Sequence, residues 1–233
     1  MHENQDLIQI EPVQNYIARH INLRVIPNKE NILSANFYNA YSTVSRIFDI
    51  LFSLILMVIF IVSIPFVWLF NLSSSPGPLF YKQIRVGKNG KNFTIYKFRS
   101  MKVDAEADGI PRFTKENDSR ITTVGSILRK TRIDELPQVI NILRGEMTLI
   151  GPRPERPEFV SEFIRQEPRY ELRSLVKPGI TGWGQVKYKY TSTLEEGLKK
   201  LDYDLYFMKH RSFYMDLTII LRTIYIVICR TGT

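Results

Sequence analysis

The sequence predicts an α+β, mainly helical protein with a membrane helix near its N-terminus. Three observations lead there. Ile50–Phe70 contains no charged residue, and about 20 consecutive apolar residues are enough to cross a bilayer core. Stretches 122–144, 158–174, 193–210 and 213–229 read as helical. Only Phe93–Arg99 alternates clearly enough to read as a strand or extended segment.

In chain order, residues 1–42 form a polar extension with no clear period. Residues 43–74 form the membrane segment, whose apolar residues cover every face rather than one stripe, unlike a buried core helix. Ser63 and Pro65 interrupt it. Proline lacks a backbone donor and clashes with the preceding turn, so a kink is expected. Two topologies follow: a kinked span, or a helix that bends at Pro65 and returns. Cations lie on both flanks, Arg46 before and Lys82 and Arg85 after, so the charge rule decides little. Ser75-Pro76-Gly77-Pro78 then redirects the chain into the 75–233 domain. The helical stretch 122–144 is expected to break at Pro137. Phe213–Cys229 carries Asp216 and Arg222 and reads as an amphipathic helix on a core or a membrane interface.

Composition excludes several chemistries. One cysteine, Cys229, leaves no disulfide framework and no zinc site of paired cysteines. The three histidines, His2, His20 and His210, are far apart, which argues against a Ser-His-Asp relay or a histidine metal site. His210 could still act alone, but in an enzyme of this composition carboxylates and cations must do most of the chemistry. The net charge of +9 suits anionic lipid, phosphorylated substrates or nucleic acid and separates none of them. A polar leader precedes the apolar run where a secretory signal would stand, so the basic bulk of the chain is expected in the cytoplasm.

Asp104, Glu106, Asp108 and Gly109 imitate the start of a calcium loop, but Lys115 occupies the place of the closing Glu and Pro111 interrupts it. An exposed acidic loop is expected instead. Asp134-Glu135 follows Arg129, Lys130 and Arg132. Adjacent carboxylates among cations usually form a solvated ion-pair surface. Their functional reading is a nucleophile beside a ligand for a divalent ion. Gly151-Pro152-Arg153-Pro154 fixes a guanidinium between two prolines, suited to phosphate or idle on a rigid surface loop. Lys177-Pro178-Gly179-Ile180-Thr181-Gly182-Trp183-Gly184 either brings backbone N–H groups to an anion or packs a core tryptophan.

Taken in order, these segments resemble the bacterial sugar transferase family, the monotopic phosphoglycosyl transferases. The motifs are Lys97-Phe98-Arg99-Ser100-Met101, Arg129-Lys130-Thr131 with Asp134-Glu135-Leu136-Pro137-Gln138, Asn141-Ile142-Leu143-Arg144-Gly145-Glu146-Met147, Gly151-Pro152-Arg153-Pro154, and Lys177 to Trp183. The resemblance implies a single re-entrant helix with its break near Ser63 and Pro65, although Ile64 separates two residues that are adjacent in many members. It implies a cytoplasmic catalytic domain over 75–233, on the cytoplasmic face of the bacterial inner membrane, as a minimal catalytic unit with a short extension. It makes Asp134 the nucleophile, Glu135 the ligand for Mg²⁺, Arg153 and Arg129 phosphate contacts, and Lys97 and Arg99 further substrate contacts. The implied reaction moves a sugar 1-phosphate from a UDP-sugar donor to a polyprenyl phosphate acceptor through an aspartyl-phosphosugar. Membrane lipid is the other expected partner, with no nucleic acid. Two other readings stay open: a non-catalytic basic adaptor on anionic lipid, and a membrane phosphohydrolase.

Overall fold

The computed structural model describes residues 35–115, 117–188 and 193–229. One long helix, α1 (Ala35–Ser74), runs through Pro65 and begins inside the segment expected to be a polar extension. Ser63 Oγ donates to the Phe60 carbonyl at 2.7 Å just before the proline. The hairpin β1 (Phe80–Val86) and β2 (Asn92–Phe98) follows, paired antiparallel from Phe80↔Phe98 to Val86↔Asn92. Asn89 and Gly90 turn it with positive φ, 57° and 71°.

Next come α2 (Thr123–Lys130), a 3-10 segment Ile133–Gln138, and the short α3 (Val139–Leu143). The expected break at Pro137 lies earlier. Arg132 adopts a left-handed conformation at φ 58° and ends the first helix. Pro137 then falls inside the 3-10 segment, just before α3 begins. β3 (Thr148–Ile150) pairs in parallel with β4 (Gly179–Thr181). Between them lie α4 (Pro157–Gln166) and a 3-10 helix, Pro168–Leu175. Short α5 (Trp183–Lys187), α6 (Leu194–His210) and α7 (Phe213–Cys229) complete the chain. Thr193 and Glu196 form a reciprocal capping box on α6. The described residues are therefore mostly helical, with two two-stranded sheets.

α1 does not stand away from the domain. Asp49, Ser53, Phe60, Val67 and Asn71 are buried, and they fall on one stripe at spacings of four and seven residues. Phe60 and Val67 pack with Phe98, Leu128 and Val139. The other faces stay exposed: Ile55, Val58, Val62, Phe66 and Leu69 are each more than half accessible. Both flanks of the uncharged run are tied to the same body. Arg46 donates to the Ile142 and Leu143 carbonyls at 2.6 and 2.9 Å, and Asp49 accepts from Thr148 Oγ1 and the Leu149 amide. At the far end, Ser75 accepts from Arg99 through both its hydroxyl and its carbonyl.

α7 buries Met215, Asp216 and Ile219 and exposes Phe213, Tyr214, Leu221, Tyr225 and Ile228. It shares a core with Ile150, Val176, Phe207 and Met208. The acidic loop is not simply exposed. Glu106 accepts both 2.9 Å bonds from Arg156 and is half-buried, while Asp108 pairs with Arg112 at the surface.

Candidate active site

The dyad turn is built by the sequence around it. Thr131 bonds back to the Ile127 and Leu128 carbonyls as α2 ends. Left-handed Arg132 then turns the chain, and the tight 3-10 segment carries Asp134 and Glu135 against β2. Both carboxylates are buried, each 6 % exposed, so the solvated surface expected from their spacing does not form.

The cations meet there. Lys97 Nζ on β2 lies 2.8 Å from Glu135 Oε1, and Arg153 Nη2 lies 2.7 Å from the same oxygen. Among the described residues, Asp134 Oδ1 is buried without a hydrogen-bond partner. The two carboxyls diverge electrostatically. Burial, reinforced by the adjacent Glu135 charge, pushes Asp134 up to about 6. Burial acts on Glu135 in the same direction, but Arg153, Lys97 and Arg132 together hold it well below the usual carboxylate range. Lys97 is lowered by burial, with Glu135 acting against that shift.

The Pro-Arg-Pro turn is clamped from behind. Arg173 Nη2 donates to the Arg153 carbonyl at 2.9 Å, while its Nε holds Asp204 at 2.9 Å and its Nη1 holds Tyr170 Oη at 2.6 Å. Arg85 Nη1 donates to the Pro154 carbonyl at 3.1 Å and pairs with Glu155. Gly151 crosses β4 at backbone contact. A Cβ on Gly179 would lie 2.1 Å from the Gly151 nitrogen, and one on Gly182 would lie 2.2 Å from the Gly151 carbonyl oxygen. These two glycines thus seat the arginine turn, while Trp183 beside them packs against the core of Ile150, Val176 and Phe207, as the tryptophan reading expected.

The remaining site expectations divide. Arg129 sits in the last turn of α2, bonds Thr114 Oγ1 at 3.3 Å and acts on Asp134 through its charge. Arg99 is buried elsewhere. Its guanidinium donates to the Pro78 and Ser75 carbonyls and to Ser75 Oγ, bracing the turn that leaves α1. Ser63 and Pro65 stay on α1, away from the dyad turn in sequence and bonding. Sequence reasoning missed the roles of Arg173 and Arg85, because a single sequence does not reveal which carbonyl a distant arginine reaches. Asn141 belongs to a quoted motif and proves to be a stitch. Fully buried, it donates to the Thr94 carbonyl and to Glu146 at 2.7 Å and accepts from the Tyr96 amide, fixing the strand that carries Lys97.

A divalent cation fits the donor set. Mg²⁺ is commonly held by one or two carboxylates completed by substrate phosphates and water. The dyad offers two adjacent carboxylates, with Asp134 Oδ1 unpartnered, and no group of three or more acidic, histidine or cysteine side chains forms a closed cage among the described residues.

A model of the bacterial sugar transferase family matches residues 40–230. The chain belongs to that family. It is 45 % identical over 158 residues to the UDP-N-acetylgalactosamine-undecaprenyl-phosphate N-acetylgalactosaminephosphotransferase of Aeromonas hydrophila, covering 68 % of this chain and 37 % of that protein. It is 42 % identical over 154 residues to the UDP-glucose:undecaprenyl-phosphate glucose-1-phosphate transferase of Escherichia coli K12, covering 65 % and 33 %. It is 38 % identical over 185 residues to the exopolysaccharide production protein PSS of Rhizobium leguminosarum bv. phaseoli, covering 77 % and 92 %. The chain thus spans about a third of the length of the first two relatives and nearly all of the third. The family match contains every residue of the site: Lys97, Arg129, Asp134, Glu135 and Arg153 all fall inside it.

Proposed function

We propose that this sugar transferase moves a sugar 1-phosphate from a UDP-sugar to polyprenyl phosphate, in the first membrane step of exopolysaccharide, capsule or O-antigen assembly. One observation carries the reading. A buried carboxylate with an unsatisfied oxygen, Asp134, sits beside a second carboxylate that gathers Lys97 and Arg153. The printed names of two relatives, which specify UDP-sugar donors and undecaprenyl phosphate, point the same way.

Asp134 attacks the sugar-bearing phosphorus of the donor. The bond from that phosphorus to the bridging oxygen breaks, and UMP departs with the bonding electron pair. The acyl phosphate so formed carries the sugar. A phosphate oxygen of the polyprenyl acceptor then attacks the same phosphorus, and the Asp134 carboxylate leaves unchanged. Arg153, presented by its clamped turn and 27 % exposed at the side chain, meets the diphosphate; Lys97 and Arg129 add positive charge around the transferring group. When bound, Mg²⁺ on Glu135 would offset charge on the phosphate oxygens.

The position of α1 supports a monotopic placement, and the cytoplasmic face is the side on which a UDP-sugar donor would be met. Arg46 and Asp49 at one end of the apolar run and Ser75 at the other bond to one domain. A span with its ends on opposite sides of the bilayer would not leave both within reach of a single aqueous body.

The decisive experiment gives purified protein a UDP-sugar and Mg²⁺ without lipid. At most one UMP is released per site, and intact-protein mass spectrometry after acid quench finds a sugar-phosphate adduct on the peptide containing Asp134. UMP appearing only on addition of lipid phosphate, with no adduct, means direct attack by the lipid. Continuous turnover without lipid means a hydrolase.

A further inference from the structure

Lys177 opens the Lys-Pro-Gly motif, yet its side chain has no part in the catalytic cluster. It reaches instead toward Gly145, whose φ of 78° keeps that position free of a side chain. The place a Cβ on Gly145 would occupy lies 3.5 Å from Lys177 Nζ and 3.8 Å from Arg46 Nη2. Two cationic groups therefore flank one small space.

Lys177 makes no hydrogen bond or ion pair among the described residues, and Lys88 adds a third positive charge nearby. Burial and the Arg46 charge both lower the Lys177 amine from its ordinary value, the mark of a cation lacking enough counter-charge. Asp49 is the carboxylate that acts on Lys177, and its oxygens are already turned to Thr148 Oγ1 at 2.8 and 3.0 Å and to the Leu149 amide at 2.9 Å. Arg46 is held rigidly by the Ile142 and Leu143 carbonyls. Like charges fixed this close repel unless an anion sits between them.

Depth selects the anion. Arg46 precedes the uncharged run by four residues, roughly 6 Å along a helix, which is the headgroup layer of a bilayer entered at Ile50. We propose that Lys177 and Arg46 bind the phosphodiester of an anionic phospholipid headgroup at the N-terminal flank of α1. A zwitterionic choline lipid offers the same phosphodiester but brings a quaternary ammonium against Lys88 and Arg46, so the site discriminates between the two. The inference rests on the membrane placement of α1 and not on the transfer chemistry.

The test uses the full chain purified in detergent, titrated with phosphatidylglycerol or with phosphatidylcholine of the same acyl chains, with native mass spectrometry counting retained lipid. Wild type keeps one phosphatidylglycerol under conditions that strip phosphatidylcholine. Lys177→Gln lowers that retention roughly fivefold, as expected for one basic residue at a lipid surface, while Lys177→Arg preserves it. Equal retention of the two lipids by wild type overturns the proposal, and that comparison stands even where the Gln variant does not fold. Undiminished retention by folded Lys177→Gln overturns it as well. Displacement of the lipid by millimolar inorganic phosphate makes this a site for free phosphate and overturns the lipid assignment. UMP release is read on the same preparations. Lipid retention without UMP release supports this site while removing the proposed reaction, and the reverse result removes only the site.

Discussion

Asp134 and Glu135 are neighbours in sequence and opposites in charge preference. Asp134 is raised to about 6 by burial and by Glu135, whereas Glu135 is held low by Arg153, Lys97 and Arg132. A carboxylate raised in the folded state favours folding in its protonated form, so it weighs against the fold once ionised. The stabilising effect of the proton is complete below about 4 and lost as the pH rises through about 6. The shift corresponds to a cost on the order of 2–3 kcal/mol at pH 8. Asp134→Asn is therefore expected to abolish turnover and to raise the melting temperature of metal-free protein at pH 8. That gain should shrink as the pH falls toward 4, a trend read by differential scanning fluorimetry in EDTA. A variant less stable than wild type at pH 8 would show that Asp134 is fully compensated by the surrounding cations. Arg153→Lys tests the neighbouring group. Lysine keeps the charge but not the fork, so kcat/KM for the UDP-sugar should fall roughly 10- to 100-fold with folding intact. Near-wild-type kinetics would assign Arg153 to structure. The dyad was legible because adjacent carboxylates after a basic run belong to an ordered set of motifs. Arg99 was misplaced because a basic residue in that set has the same letter whether it faces phosphate or, as here, the Ser75 and Pro78 carbonyls.

The elements around the site show what a pattern of letters omits. A helix over 122–144 was legible from its period, and so was an interruption. Its place was not, because Arg132 leaves the helix through its backbone conformation, and arginine has no special preference for the left-handed region. The glycines of the Lys177–Gly184 segment were legible as a place of close approach, while the approaching group was not. It is the backbone at Gly151, which sets where Arg153 begins. Gly179→Ala puts a methyl carbon where the Gly151 nitrogen stands, so either β3 and β4 separate or the arginine turn shifts. The expected result is a loss of a few kcal/mol in stability together with at least a tenfold drop in turnover. Gly109→Ala is the control. Its φ of 68° carries strain, but a Cβ there meets nothing within 4 Å, so activity should stay near wild type. Equal effects of the two substitutions would mean that the close approach of Gly179 to Gly151 does not govern the seat under Arg153. A third element, α6, supports the same turn through Arg173. Arg173 joins Asp204 of α6 to the Arg153 carbonyl. Arg173→Lys, which keeps the charge and loses the branched reach, is expected to lower kcat more than it raises KM.

For the whole molecule the open question was direction, and the sequence held too little to fix it. Length and apolarity announced a helix able to cross a bilayer, and the helix is present. Cations on both flanks left its two ends unassigned. The structure adds long-range bonds: Arg46 to the last carbonyls of α3, Asp49 to β3, and Arg99 to the turn after α1. Those bonds place both ends of the uncharged run on one body. The remaining apolar faces of α1 stay exposed, along with the row of α7 from Tyr214 to Ile228. Pro65 is where such a helix can turn back, because its nitrogen donates no bond and the carbonyl one turn earlier has lost its partner. Ser63 helps by giving the Phe60 carbonyl an alternative donor. The topology is tested in intact cells on a Cys229→Ser background, with single cysteines introduced by His2→Cys or, after the helix, by Gly109→Cys. Both should resist a membrane-impermeant thiol reagent added outside and react once the cells are opened. Labelling of the His2→Cys protein from outside would sink the returning helix and make α1 a true span. Pro65→Leu should move part of the population toward that outcome, since the backbone bond that proline cannot donate can then form. The change should appear first as external labelling at position 2. It should then appear as lost turnover, because a straight span pulls Arg46 and Asp49 off the domain while Ser75 stays bound to Arg99.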